Sequence, residues 1–138
     1  MRISICKTGM GLAFLCIAPT AALAEEKAYV CAINEVYDCV GVTGCTRVSL
    51  SDANVPGIMV VDIEKKQLRS TPIGAEPSTD DIEGIVVTDK AILLHGTGRK
   101  ELSRTWSAVI SLETGALNAG ISTQDSSMSL LGNCSSKP

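Results

Sequence analysis

Large rings are nearly missing from this chain. Aromatic residues make up 3% of it: one Trp, two Tyr and one Phe. The one Phe, Phe14, falls in the N-terminal apolar stretch, so the rest of the chain has no Phe and mostly small aliphatic side chains, Ala, Val, Ile and Leu, to build a core from. Such a core is thin, and covalent staples would help it. Histidine is equally scarce, His95 being the only one. No two cysteines stand at CxxC spacing, which with a single His argues against a zinc site. No Ser sits in a G-x-S-x-G nucleophile elbow. Beyond the N-terminal stretch no apolar run reaches the length of a membrane-spanning helix. Basic residues are outnumbered by acidic ones, 12 to 15, which argues against nonspecific nucleic-acid binding and against adhesion to anionic lipid.

What is present starts with an address. Arg2 and Lys7 precede an uncharged apolar stretch that ends in Ala22-Leu23-Ala24. A basic start, a short apolar region and an A-x-A end describe a secretory signal peptide over residues 1–24. Residues 25–138 are then expected as a single domain with one core, periplasmic or secreted, with no membrane span after cleavage. Four cysteines remain there: Cys31, Cys39, Cys45 and Cys134. An even number in an exported small domain implies two disulfides. Cys31 and Cys39 on one extended strand lie up to about 26 Å apart, too far to bond unless the strand turns. Cys39 and Cys45 bracket VGVTG, whose two glycines permit a tight loop. The pairing favoured is therefore Cys39–Cys45 with Cys31–Cys134.

The clearest secondary structure lies at residues 104–123. Trp106, Ala108, Ile110 and Leu112 alternate with polar positions, and Leu117, Ala119 and Ile121 resume the alternation after Glu113-Thr114-Gly115. Two period-2 runs around a loop ending in Gly predict a β-hairpin. Further strands are expected at residues 27–37, 46–50, 58–64, 67–70, 82–88, 91–95 and 128–131. On the first of them Tyr29, Cys31, Ile33 and Tyr37 are expected on one face. Ser51 and Asp52 are expected to cap a brief helical turn. Residues 71–80 and 96–102 read as the two longest loops. Asp89-Lys90 reads as a hairpin turn, though it lacks the preferred Gly. Short strands with evenly spaced turns predict an all-β antiparallel meander closing into a small barrel or sandwich.

Each candidate site carries a plainer reading beside it. His95 reads as an exposed or structural residue at a strand end. Glu76, Asp80, Asp81 and Glu83 would suit Ca²⁺ only with EF-hand spacing, which they lack, so a solvated loop is expected and no metal or cofactor. Gly96-Thr97-Gly98 is too short for a phosphate loop. Arg99, Lys100 and Arg104 are candidates for contact with an anion or acidic partner, and Trp106 with Tyr29 and Tyr37 for a binding groove. Core packing is the plainer role for Trp106.

Several short patterns together resemble a group of small exported proteobacterial proteins of unknown function. They are Tyr37, Cys39 and Gly44-Cys45; the V-D-I-x-x-K-x-L segment at 61–68; W-S-x-V-I-x-x-x-T-G-x-L at 106–117; and G-x-C at 132–134. The resemblance implies no activity and no site residues. In size and plan the chain is also similar to periplasmic lysozyme inhibitors of the small β-barrel type, an analogy of architecture alone. The function expected is a noncatalytic binding or interaction module whose partner is a protein, glycan or small ligand of the cell envelope. The alternatives are a lysozyme-inhibitor-like protein, or a small envelope hydrolase using carboxylates of the Glu76–Glu83 region with His95.

Overall fold

The computed structural model describes residues 27–71, 76–98 and 103–136. The expected leader, and Arg99 and Lys100 with it, lie outside the described residues. The described chain is all-β, with a single 3₁₀ turn at Gly41–Thr43 and no α-helix. Ten strands follow in order: β1 (Ala28–Val40), β2 (Cys45–Val48), β3 (Ile58–Asp62), β4 (Gln67–Ser70), β5 (Ser78–Asp81), β6 (Gly84–Val87), β7 (Ala91–Thr97), β8 (Thr105–Ser111), β9 (Ala116–Ser122) and β10 (Ser126–Ser136).

They form one antiparallel sheet in the order β5-β4-β3-β1-β10-β9-β8-β7-β6, curled into a half-barrel. The longest strand, β1, lies near its middle. On one side β1 pairs with β10 along almost its whole length. On the other it pairs first with β3 through Ala32 and then with β2 from Val36 onward. The edge strands β5 and β6 are consecutive in sequence. Ile82 and Glu83 between them donate successive amides to opposite parts of the sheet, Ile82 to the Lys66 carbonyl (2.8 Å) and Glu83 to the His95 carbonyl (2.9 Å). One bent run of chain thus pairs with β4 and then with β7, which is how orthogonally packed sheets turn a corner.

Side chains explain the turns. Gly115 closes the β8–β9 hairpin at φ 75°, and a Cβ there would come within 2.6 Å of the Cys134 carbonyl oxygen. The β6–β7 and β9–β10 turns have no Gly. In both a threonine does the work: Thr88 Oγ1 accepts from the amides of Lys90 (3.2 Å) and Ala91 (2.9 Å), and Thr123 Oγ1 from Ser126 (3.1 Å). At the end of β2 it is Ser49, rather than Ser51 or Asp52, whose hydroxyl accepts from a turn amide, that of Asp52 at 3.1 Å. The chain there makes turns and not a helix.

β1 departs from strict alternation. Asn34 has no partner on β10, because Ile33 pairs with Gly132 and Glu35 with Leu131. This bulge reverses the facing of everything after it. Cys31 stands opposite Cys134, on the face that also carries Leu130. Cys39 stands opposite Ser127, on the other face, where it meets Cys45 of β2. Tyr37, opposite Ser129, shares the Cys39 face. That corrects the expectation that Tyr37 lies with Tyr29, Cys31 and Ile33. The two disulfides, Cys31–Cys134 and Cys39–Cys45, pair as the spacing favoured, and each joins residues directly opposite on neighbouring strands.

The core is the concave face. Ile92, Ile110, Val36 and Cys31 are its largest fully buried side chains. Burying an aliphatic side chain of this size contributes about 1.5–3 kcal/mol.

Candidate functional site

Successive strands present inner-face residues in register. One row runs Leu94, Ala108, Ala119, Leu130, with each neighbour directly opposite the last. Two alanines side by side leave a dip in a wall otherwise made of larger aliphatic residues. The next row runs Gly96, Trp106, Ile121, Met128. A Cβ at Gly96 would lie 2.7 Å from the Trp106 ring, so the indole is packed against the glycine. The pairing covers a weak glycine with an aromatic from the neighbouring strand.

These two rows open onto a cavity of about 270 Å³ inside the half-barrel. Its wall is mainly apolar: Met59, Val61, Leu68, Leu94, Ile110 and Leu117 line it. Ala53, Val55 and Pro56, from the loop between β2 and β3, form another part of the wall. That loop is fixed at the β1 bulge, where the Ile33 amide donates to the Gly57 carbonyl (2.9 Å). Polar groups come chiefly from the β4–β5 hairpin and from the start of β8. Ser70 and Ser78, whose hydroxyls lie 3.1 Å apart, line the cavity with Glu76, Asp80 and Arg104. Arg104 is half-buried, its guanidinium lying against Gly98.

Trp106 forms part of this wall, and its indole nitrogen is out of contact with solvent and without a hydrogen-bond partner. A buried polar group left unpaired costs about 1–3 kcal/mol, so natural structures seldom keep one without a reason.

A second, shallower hollow of about 310 Å³ lies on the other side of Trp106. Glu83, His95, Thr97 and Ser107 line it. His95 is exposed, its ring lying across Gly84, and Glu83 accepts a hydrogen bond from the Thr97 hydroxyl. The acidic residues singled out in the sequence are therefore divided. Glu76 and Asp80 line the inner cavity, whereas Glu83 sits with His95 in the outer hollow. Among the described residues no three His, Cys, Asp or Glu side chains converge as a metal site.

Of the predicted contact residues, Arg104 and Trp106 meet at the cavity, while Arg99 and Lys100 lie outside the described residues. Tyr29 packs against the core and Tyr37 lies on the outer face, so they do not form a groove with Trp106. Tyr37 instead donates to Glu35 Oε2 (2.7 Å), and that carboxylate holds the phenol's pKa above its ordinary value. Sequence reasoning missed the lining contributed by Met59, Leu68, Met128 and the 53–56 loop. The usable signal was Ala108 and Ala119, small residues at inward positions of two paired strands. No protein-family model matches the chain, and no curated protein is similar to it in sequence.

Two disulfides suit an oxidising compartment. Among the described residues no helix is long and apolar enough to cross a membrane.

Proposed function

We propose that this is a noncatalytic binding module, periplasmic or secreted, that takes a small and predominantly apolar ligand inside the half-barrel. The observation that carries the reading is the cavity itself, concave, apolar-walled and touched by a few polar groups, as ligand sites are. At roughly 30 Å³ per water-sized group its 270 Å³ holds about nine non-hydrogen atoms. At about −0.6 kcal/mol per atom, within the range seen for small ligands, such a molecule binds with a Kd near 100 μM. The signal peptide expected at residues 1–24 and the two disulfides support the location.

The test is calorimetric titration with α-methylstyrene, an uncharged hydrocarbon of this size. The native protein is expected to show one saturable site, and Ala119→Leu, which grows a side chain into the void, is expected to lose it while staying folded. Absence of saturable binding, or equal binding by the filled variant, would sink the reading.

A further inference from the structure

We propose that the ligand of this cavity is an amphiphile with an anionic head, an alkyl carboxylate of medium length whose carboxylate pairs with the Arg104 guanidinium while its chain lies along the apolar wall. The inference rests on the cavity reading above and names the class of molecule the site takes. Arg104 is the only basic residue of the described chain that lines the cavity, and none of the ion pairs among the described residues involves it. A half-buried guanidinium beside an apolar wall has given up part of its hydration without a counter-ion in exchange. A carboxylate restores the balance, because the planar fork of the guanidinium presents paired N–H donors that match its two oxygens. The place of Arg104 sets the direction of the ligand. It has the parity of Trp106, Ala108 and Ile110, the inward residues of β8, and stands just before that strand begins. The extended chain from Arg104 to the dip at Ala108 and Ala119 covers roughly 13 Å. An alkyl chain and the Arg104 side chain bridge that span between them, with the tail over the alanines and the head at the guanidinium. Two carboxylates also line the cavity, and neither serves Arg104 as a counter-ion. Glu76 is exposed, so water and salt screen its charge, and Asp80 is already partnered.

The experiment titrates heptanoate, heptanamide and octylammonium into the protein at neutral pH, with calorimetry as the readout. The three are alike in size and differ in the charge of the head, which is negative, absent and positive. Heptanoate is expected to bind about 5- to 12-fold tighter than heptanamide, the lower end of a charge-assisted hydrogen bond reduced toward an exposed ion pair because Arg104 is half-buried. Octylammonium is expected to bind no tighter than heptanamide. In Arg104→Gln, which removes the charge and keeps a polar end, heptanoate is expected to fall to the level of heptanamide, while heptanamide itself changes little. In Ala119→Leu, which fills the dip where the tail lies, binding of both is expected to disappear. Equal affinities of heptanoate and heptanamide in the native protein, tightest binding by octylammonium, or a preference for heptanoate that survives in Arg104→Gln each overturn the proposal. Heptanoate binding that persists in Ala119→Leu also overturns it, since the carboxylate is then held by Arg104 alone and not in the cavity. The native comparison decides the matter even if the Gln variant does not fold. If the three bind without regard to charge, this inference fails and the cavity reading stands; if none of them binds, both fail.

Discussion

The two disulfides close loops of very different length, and they should therefore be unequal in what they contribute. Cys31–Cys134 spans 103 residues and Cys39–Cys45 spans 6. If a crosslink acts by restricting the unfolded chain, the loss of entropy grows with the logarithm of the loop length. That relation gives about 4.7 kcal/mol for the long loop and about 2.2 kcal/mol for the short one at 25 °C. A domain of roughly 100 residues unfolds with an entropy near 0.2 kcal/mol/K, so the double variant Cys31→Ala/Cys134→Ala should melt about 20 °C lower and Cys39→Ala/Cys45→Ala about 10 °C lower. Packing widens the gap. Cys31 is fully buried in the cavity wall, so its loss also removes core contacts, whereas Cys45 is exposed. Urea unfolding of both variants, followed by Trp106 fluorescence and far-ultraviolet circular dichroism, measures the two costs side by side. The denaturant slope should rise in the long-loop variant, because its unfolded chain expands further. Equal losses, or a larger loss from the short loop, would refute the reasoning and show that β1 and β10 stay associated in the unfolded chain.

Four further outcomes are expected. Gly132→Ala should cost about 1–3 kcal/mol, since a Cβ there runs into the backbone carbonyl of Ala32, while Gly120→Ala, with nothing nearer than 3.9 Å, should stay within about 0.5 kcal/mol; chemical denaturation of the pair tests it, and equal costs would contradict the packing described. The amide of Lys65 holds the Asp62 carboxylate below its ordinary pKa, with the Lys65 and Arg69 charges adding to it against the opposing effect of burial. A depressed folded-state pKa contributes stability that is present above the unfolded value near 3.9 and is lost as pH falls through the folded value, so Asp62→Asn should flatten the acid side of the stability profile; an unchanged slope below about pH 4 speaks against it. Glu35→Gln should bring the ionisation midpoint of Tyr37 down toward about 10, read by absorbance at alkaline pH, and a midpoint that does not move removes Glu35 as the cause. Lys66 holds φ at 51° in the β3–β4 turn, so Lys66→Gly should raise stability by up to about 1 kcal/mol in thermal unfolding, and a loss of stability would show that the lysine side chain matters more than its backbone strain.

Much of the sheet was legible because period-2 alternation is a local signal. The hairpin at 104–123 shows it best: Trp106, Ala108 and Ile110 stand opposite Ile121, Ala119 and Leu117, and Gly115 takes the positive φ that its place in the turn required. The disulfide pairing was legible because chain reach disfavours Cys31–Cys39 and the two glycines between Cys39 and Cys45 permit a tight loop. Strand ends were not. β1 runs on through Cys39 to Val40, and β10 extends well past Leu131 to Ser136, because each is completed by pairing with the other. Nor was Ser78–Asp81 seen as a strand; its polar residues carry no alternation, and it is extended because β4 offers it a partner. The cavity was legible only in fragments. Trp106 and Arg104 were picked out as rare or charged residues, but a void is made by what small residues leave unfilled across several strands, and that depends on register. The outer-face stripe of Val86, Leu93 and Val109, exposed and mutually opposite, depends on register in the same way.

Asn34 deserves to be seen as a phase marker in the chain. Before it the odd-numbered residues of β1 look inward; after it the even-numbered ones do. Val36 is fully buried only because one unpaired residue separates it from Cys31. Were Asn34 instead paired within the ladder as a plain strand residue, the second half of β1 would turn inside out. Tyr37 and Cys39 would then point into the barrel, and Cys39 would share a side with Cys31 and Cys134, three thiols on one wall and Cys45 stranded on the other. The single irregular residue, kept out of the ladder, thus decides which cysteines can meet, and absorbing it into the pairing would be a folding error in oxidation chemistry as much as in packing.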